Sequence, residues 1–265
     1  MLELIKLNKV FLKGTPNENH ALRNFNLYIP DGEFITVIGS NGAGKSTLFN
    51  AVAGSFFCDS GSILLDGKDI TFQKEHRRAR EIARIFQNPA MGTAPDLTIE
   101  ENLALAYSKS TKRPFSRALR KRDVTLFREQ LAKLDMGLEE RMKTKIGLLS
   151  GGQRQAVTLL MATIITPKLL LLDEHTAALD PMTAQKVLAI TREIVGKNKI
   201  TTMMITHNIG SALALGTRTI MLENGGLVLD LAGEERRKLG VEGLLALYQE
   251  KCGKTLDNDR MLLTH

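Results

Sequence analysis

The sequence predicts an α/β fold with a mainly parallel sheet, and three features of the chain support this expectation. Short apolar runs alternate with segments whose apolar residues recur at helical spacing. A glycine-rich loop, residues 39–47, directly follows the apolar run 34–38. Another apolar run, residues 169–172, ends in two carboxylates. Strands that alternate with helices favour parallel pairing with right-handed crossovers, so the chain is expected to build one such sheet.

The elements of the first half are predicted from the type and spacing of the residues. The near-continuous apolar run 34–38 is typical of a buried parallel strand, and residues 15–19 form a turn cluster. Thr98 and Glu101 form a capping-box pattern that predicts a helix start, and Pro114 is expected to break the helical stretch that follows. The expected elements are strands within residues 2–38, a helix over 46–52, a strand and turn over 62–68, a basic helix over 75–84, a strand over 83–86, and mostly helix from Thr98 to about Lys143.

The second half continues the alternation of helix and strand. The run 169–172 consists of leucine only, as expected for a strand that is buried on both faces. The tail has a helical composition, with an apolar face formed by Leu244, Leu245, Leu247 and Tyr248. The expected elements are a helix after Gln155, a strand over 169–172, a helix from about Pro181 to Val195, a strand over 200–205, strands near Ile220 and Leu227, and a helical tail over 234–265.

The composition of the 265 residues limits the class of protein. No apolar run reaches the ~18 residues needed to span a bilayer, and the amino terminus lacks a signal-peptide pattern. The chain is therefore expected to reach a membrane only through a partner. The two cysteines, Cys58 and Cys252, have no metal-ligand spacing and suit a reducing cytosol. Tryptophan is absent, so a base-stacking platform for nucleic acid is not expected despite the net charge of +7.

Two basic clusters, residues 76–80 and 117–122, allow two interpretations. A solvated helix face accounts for them without any partner. Proximity to an anionic membrane surface, which attracts Lys and Arg, is the less favoured alternative.

The glycine-rich loop matches the pattern GxxxxGK[ST] of phosphate-binding loops. A buried strand before it and a helix after it would aim backbone N–H groups and a positive helix end at one anion. Lys45 would bridge the β- and γ-phosphates, and Ser46 would place its hydroxyl on Mg²⁺. The candidate phosphate-binding residues are Gly39, Ser40, Asn41, Gly42, Ala43, Gly44, Lys45, Ser46 and Thr47.

Two carboxylates, Asp173 and Glu174, end the predicted strand 169–172. Ligands of open α/β sheets bind at the carboxyl ends of the strands. Asp173 can therefore hold Mg²⁺ through water, and Glu174 lies one residue further out, where an attacking water would sit.

The heptad LSGGQRQ, residues 149–155, lies between these two motifs. Ser150 is expected to be the N-cap of a helix. Together with the phosphate loop and the acidic strand end, the heptad resembles the signature of the ATP-binding cassette (ABC) transporter ATPases, and the resemblance covers nearly the whole chain. It implies a P-loop NTPase core with a mainly parallel sheet, an antiparallel β subdomain and an α-helical subdomain. It also implies ATP hydrolysis, with ATP and Mg²⁺ as cofactors.

The resemblance implies roles for individual residues. Glu174 matches the general base, His207 matches the switch histidine, and Gln87 matches the Q-loop glutamine that contacts Mg²⁺ or water. Asp180 matches the D-loop aspartate. The signature residues would face the γ-phosphate held by the opposite subunit; they are Ser150, Gly151, Gly152 and Gln153.

Three observations refine the resemblance. Phe11 matches the aromatic residue that stacks on adenine, where the family often has Tyr, and a position in the core is the alternative for Phe11. His175 stands where the family commonly has Pro, so it is expected to influence local electrostatics or packing and not to act as a second base. The segment DEHTAALDP, residues 173–181, resembles a subset of bacterial importer ATPases, some of which pair with permeases for branched-chain or aromatic amino acids.

The family resemblance implies a two-subunit ATPase that is peripheral on the inner, cytoplasmic face of the cell membrane. A homodimer is expected and a heterodimer remains open. Residues 88–101 would bind a coupling helix of a multi-span permease, and an extracytoplasmic substrate-binding protein is expected in the same system, with no nucleic acid. The ATPase domain is expected over residues 1–232, with a helical subdomain at about 88–155, followed by the tail 233–265.

A soluble ABC ATPase that acts on DNA or ribosomes is the alternative function. Only 62 residues separate Gln87 from Ser150, too few for the long coiled coil of chromosome- and repair-type members. Members that act in translation carry two cassettes in one chain. Exporters usually fuse the cassette to membrane helices, so import is the expected direction, although separate-chain exporters exist.

Overall fold

The computed structural model describes residues 1–108 and 120–253, which form two compact units. The first unit contains Met1–Ile82 and the described residues from Lys199 onward, and the second contains Ala83–Asn198. In chain order the elements are β1 (Leu2–Phe11), β2 (Asn19–Ile29), β3 (Phe34–Gly39), α1 (Lys45–Ala53), β4 (Ser60–Leu65), β5 (Lys68–Asp69), α2 (Glu75–Arg78), β6 (Ile82–Ile85), α3 (Ile99–Ser108), α4 (Lys121–Ala132), α5 (Gly151–Thr163), β7 (Leu169–Asp173), α6 (Pro181–Asn198), β8 (Thr201–Ile205), α7 (Ile209–Leu215), β9 (Arg218–Glu223), β10 (Gly226–Ala232), α8 (Gly233–Lys238) and α9 (Val241–Cys252).

The first unit contains the antiparallel sheet that the family resemblance implies. Its strand order is β2-β1-β4-β5, and every pair in it is antiparallel. Leu2 lies opposite Ile29 on one side and opposite Leu65 on the other. Leu2 and Leu4, two residues apart, are both buried, as the two-residue period of a strand with one buried face requires.

The first unit also contains four neighbouring strands in the order β10-β9-β3-β8, and β3 pairs in parallel with both β8 and β9. All residues of β3 are buried. This explains its mostly apolar sequence, because a strand with covered faces and two strand neighbours has no side in contact with solvent. β10 is antiparallel to β9. The predicted mainly parallel sheet is confirmed, with β3 ending in the glycine-rich loop.

The second unit consists mostly of helices, with β7 and β6 as neighbouring strands. Thr98 and Glu101 form the predicted capping box of α3, in which the Glu101 carboxylate accepts from Thr98 N at 2.7 Å and Thr98 Oγ1 accepts from Glu101 N at 3.3 Å. The expected break at Pro114 lies outside the described residues. Short 3₁₀ helices occupy Pro89–Gly92 and Ile146–Leu148.

The predicted basic helix over residues 75–84 is wrong in length and partly wrong in its exposure. α2 ends at Arg78, and β6 begins four residues later. Arg78 is 2 % exposed, and its guanidinium donates to the carbonyls of Ala51 and Val52 at 2.7 and 2.9 Å. These carbonyls lie at the end of α1, so Arg78 satisfies acceptors that the helix leaves open. The solvated-face interpretation therefore fails for this residue.

Candidate functional site

The glycine-rich loop connects β3 to α1 in the first unit, as predicted. Gly39 has φ of 147° and Gly44 has φ of 102°, in the region that favours glycine. A Cβ atom on Gly39 would lie 2.2 Å from the carbonyl oxygen of Leu222, and one on Gly44 would lie 2.5 Å from that of Ala21. The loop path thus requires glycine at both positions.

Lys45 is the first residue of α1, and its side chain is bound by the loop itself. Its ammonium donates to the carbonyl oxygens of Gly39 and Ser40 at 2.7 and 2.8 Å, and the residue is 6 % exposed. Within the described part of the chain, no side chain caps the start of α1. The first amides of the helix and one buried cation therefore meet at the loop, which is the arrangement that favours an anion.

Two further candidates of the first unit, Phe11 and His207, lie at strand ends. Phe11 ends β1, is 36 % exposed, and makes an edge contact with Phe56 at 5.4 Å between ring centroids. It is not in the core, which removes the structural alternative. His207 follows β8 and precedes Asn208, whose side chain caps α7 by accepting from Ser211 N at 2.7 Å. The histidine thus lies in a strand-to-helix turn.

In the second unit, Asp173 is the last residue of β7 and is paired with an arginine. Arg84 Nη2 donates to Asp173 Oδ2 at 2.9 Å, and both side chains are mostly buried. The Arg84 guanidinium also lies over the ring of Phe86, at 4.7 Å from its centroid. The sequence reasoning missed this partner, although a charged residue inside the apolar segment Ile82–Ile85 was a signal for it.

Glu174 adopts a strained backbone conformation and contacts Gln87. Its φ is 46°, in the left-handed region that costs a residue with a Cβ roughly 1–2 kcal/mol. Gln87 Nε2 donates to Glu174 Oε2 at 3.2 Å. The structure therefore brings together two of the three predicted catalytic residues within the second unit. Strain at such a position is typical of functional turns.

His175, the departure from the family pattern, is buried as a neutral donor. It is 2 % exposed, and burial lowers its pKa to about 4. Its Nε2 lies 3.3 Å from Thr191 Oγ1, which itself donates to the carbonyl of Val187 at 2.8 Å. Because the hydroxyl proton is used there, His175 Nε2 must carry the proton and donate. The residue thus anchors the turn after β7 to α6, in agreement with a packing role.

The signature residues form the start of α5. Ser150 is the predicted N-cap: Ser150 Oγ accepts from Gln153 N, and Gln153 Oε1 accepts from Ser150 N, both at 3.3 Å. A Cβ on Gly152 would lie 2.0 Å from Thr183 Cγ2, and one on Gly151 would lie 3.2 Å from Leu179. These two glycines let the start of α5 closely approach the first turn of α6 and the residue Leu179 that precedes this helix.

Asp180 serves as a helix cap in this structure. Its Oδ1 accepts from Thr183 N at 3.0 Å at the start of α6, and hydrogen bonds from the Thr183 side chain and backbone lower the pKa of the carboxyl. Any contact with a nucleotide would have to coexist with this bond.

Comparisons with known proteins agree with this geometry. Residues 22–177 match the ABC transporter family. The tyrosine transport ATP-binding protein of Clostridioides difficile is 42 % identical over 94 % of this chain and 99 % of its own length. The methionine import ATP-binding protein MetN of Vibrio vulnificus is 37 % identical over 86 % of this chain, which spans 64 % of that protein.

Solved structures show the same fold. The ATP-binding cassette MJ0796, in a dimeric post-hydrolysis state bound to ADP and Pi, is 27 % identical, with a TM-score of 0.75 over 88 % of this chain and 98 % of that one. The chain cbiO1 of Clostridium perfringens, part of the ABC transporter complex cbiONQ, is 25 % identical, with a TM-score of 0.74 over 95 % of both chains.

The chain has a P-loop NTPase fold with a phosphate loop between a strand and a helix. It also has an acidic strand end and a capped signature helix. Together these features define an ATP-hydrolysing cassette. The chain belongs to the ABC transporter family, as the ATP-binding and ATP-hydrolysing subunit. Among the described residues, no helix is long and apolar enough to cross a membrane.

Proposed function

We propose that this chain powers the import of an amino acid, with tyrosine or a similar aromatic amino acid as the first candidate. The observation that carries the proposal is the 42 % identity to a tyrosine transport ATP-binding protein along almost the full length of both chains. The methionine import protein supports the wider class of amino-acid uptake.

In the first unit, we assign nucleotide binding to the loop and its flanking residues. The backbone and Lys45 would hold the phosphates, and the exposed ring of Phe11 would stack on adenine. His207 would contact the γ-phosphate. The side chain of Ser46 is exposed at the first turn of α1, and its hydroxyl suits Mg²⁺.

In the second unit, we assign the chemistry of water attack. Glu174 would accept the proton of the attacking water, and Gln87 would orient that water or the metal. Asp173, which Arg84 holds in place through an ion pair, offers an oxygen ligand, and oxygen ligands suit a hard cation such as Mg²⁺. The metal would neutralise charge on the phosphates.

We further propose a dimer in which the signature residues act on ATP held by the second subunit. The dimeric cassette MJ0796 supports this arrangement. In this chain, Leu148 and Met182 flank the signature and Asp180, and they are 73 % and 83 % exposed. Such exposed apolar side chains suit an interface that forms only in the closed state.

A permease would dock on residues 88–101, and the chain would be peripheral on the cytoplasmic face of the membrane. Met91, in the 3₁₀ helix of this stretch, is 68 % exposed and offers an apolar contact to a coupling helix. The complex that contains cbiO1 supports a membrane partner. An extracytoplasmic substrate-binding protein would deliver the substrate. We retain residues 1–232 as the ATPase domain, with a helical subdomain at about 88–155 and the tail 233–265.

The test is reconstitution of the chain in vesicles with its candidate permease, with the substrate-binding protein and radiolabelled tyrosine outside the vesicles and ATP on the cytoplasmic side. We expect ATP-dependent uptake with the wild-type chain. Glu174→Gln should retain ATP binding, form a stable ATP-bound dimer, and lower turnover by about 100-fold or more, because it removes the general base. Uptake should stop with it.

Two results would contradict the proposal. Near-wild-type hydrolysis by Glu174→Gln would remove the base assignment. Failure of the chain to co-purify with any multi-span membrane protein, together with a salt-sensitive association with DNA or ribosomes, would favour the alternative function.

A further inference from the structure

The end of β9 and the turn between β9 and β10 pack against the phosphate loop within the first unit. Gly225 N donates to the carbonyl of Ala43 at 3.0 Å, and Ser40 Oγ donates to Glu223 Oε2 at 2.5 Å. Gly39 also lies against the end of β9, where a Cβ atom on it would clash with the carbonyl oxygen of Leu222. The loop is therefore fixed by side-chain and backbone contacts to one hairpin.

The hairpin itself has little conformational freedom. Asn224 and Gly225 have φ of 49° and 77°, the sequence and sign expected of a two-residue type I′ turn. Such a turn matches the twist of its strands, so the position of Glu223 beside the loop is set by the backbone. The side chain of Glu223 can still rotate, and a second hydrogen-bond donor to its carboxylate would hold it in one orientation.

Tyr248 of α9 supplies that donor. Its hydroxyl donates to the same oxygen of Glu223 at 2.9 Å, and the residue is 1 % exposed. Burial, and after it the hydrogen bond to Glu223, raises the pKa of Tyr248, so the hydroxyl keeps its proton and remains a donor.

Tyr248 also packs in the apolar cluster that contains the last residue before the phosphate loop. Tyr248 and Leu244 belong to one buried cluster with Ile38, the residue that precedes Gly39, and with Met221 of β9. α9 is therefore connected to the loop in two ways. Its apolar side chains pack with Ile38, and Tyr248 is hydrogen-bonded to the Glu223 carboxylate.

We infer that Tyr248 and Glu223 are positioning residues for Ser40, so that α9 is part of the nucleotide-binding apparatus and not an appendage. The inference rests on the proposed role of the loop in binding phosphates. Because Ser40 belongs to the phosphate loop, a Glu223 carboxylate that Tyr248 holds in one orientation also holds the loop in one position through the Ser40 hydroxyl.

The experiment measures ATP affinity and thermal stability of the full chain as Tyr248→Phe, which keeps the ring and removes the hydroxyl. We expect the ATP Kd and KM to rise by about three- to tenfold, the range of long-range coupling effects, with kcat at saturating ATP changed by less than about twofold. Tyr28→Phe is the matched control, since Tyr28 is half exposed on β2, and it should bind ATP like the wild type.

A double-mutant cycle identifies the route of the effect. In a Ser40→Ala background, Tyr248→Phe should not raise the ATP Kd further. The hydroxyl through which Glu223 contacts the loop is already missing in that background. Glu223→Gln retains an acceptor oxygen and should lose less affinity than Glu223→Ala.

Two outcomes would overturn the inference. One is a Tyr248→Phe protein that melts earlier yet binds ATP like the wild type, which would make the contact purely structural. The other is an unchanged effect of Tyr248→Phe in the Ser40→Ala background. Wild-type affinity in Lys45→Ala would instead refute the assignment of the loop, whatever Tyr248→Phe does.

Discussion

Two helices of this protein begin at glycine-rich sequences, and their first turns are built differently. α1 follows Gly44, a glycine in the left-handed region, and within the described chain no side chain caps it. α5 follows Ser150, which closes a capping box with Gln153. At α1 no side chain of the described residues accepts from the first amides, whereas at α5 the Ser150 hydroxyl accepts from one of them.

The difference indicates how each helix start depends on nucleotide. An uncapped start gains most from an anion, because its amides lack acceptors. A capped start is stable without one, so it can be kept in position until a ligand arrives. This is what the proposed role of the signature requires, since its ATP would come with the second subunit.

The largest expected effect is at the uncapped start. Lys45→Ala removes the only charge of that turn and should raise the ATP Kd by about 10- to 100-fold, as expected for a lost charged hydrogen bond. Equilibrium titration with ATP measures it, with Lys68→Ala, an exposed lysine of β5, as the control. If Lys45→Ala binds ATP as tightly as Lys68→Ala, the assignment of phosphate binding to this loop is wrong.

The next effect is at the close approach of α5 to α6. Gly152→Ala should lower the free energy of unfolding by about 1–3 kcal/mol, because the added methyl would overlap Thr183 Cγ2. Thr183→Ser removes that methyl group and should restore much of the loss.

Gly196→Ala in the last turn of α6 is the matched control. A Cβ there meets nothing within 4 Å, so the substitution should raise the free energy of unfolding by about 0.5–1 kcal/mol. Denaturant unfolding distinguishes the three variants. Equal destabilisation by both glycine substitutions would mean that the contact with Thr183 does not matter.

The smallest effect is at the cap. Ser150→Ala should cost about 1 kcal/mol of folding stability, and Ser150→Gly only a few tenths. The ATP affinity of the isolated monomer should stay at the wild-type value in both, because the signature is proposed to act in trans. Calorimetric titration of monomer checks this, and a loss of monomer affinity would argue that the cap belongs to the chain's own nucleotide site.

Features that depend on neighbours in sequence were predictable. The Ser150 and Thr98 caps, the glycine loop and the buried strand β3 follow from local spacing, and each is confirmed. The same local reasoning extended the basic helix beyond Arg78, because it could not show that this arginine turns inward to the end of α1.

Contacts between distant segments could not be predicted. Arg84 and Asp173 are separated by 89 residues, and Ser40 and Glu223 by 183. Nothing in the local pattern of Glu223 or Tyr248 indicates that the two meet beside the phosphate loop. Such pairs are set by the path of the sheet.

The burial of His175 links folding to protons. The unfolded chain binds a proton there near pH 6.5, whereas burial delays protonation in the folded chain until about pH 4. The unfolded state therefore takes up more protons between these values. The contribution of His175 to stability is fully present above pH 6.5 and declines by up to about 1.4 kcal/mol per unit as the pH falls toward 4. Through this residue beside the proposed catalytic base, the folded chain is more stable in a neutral compartment than in an acidic one.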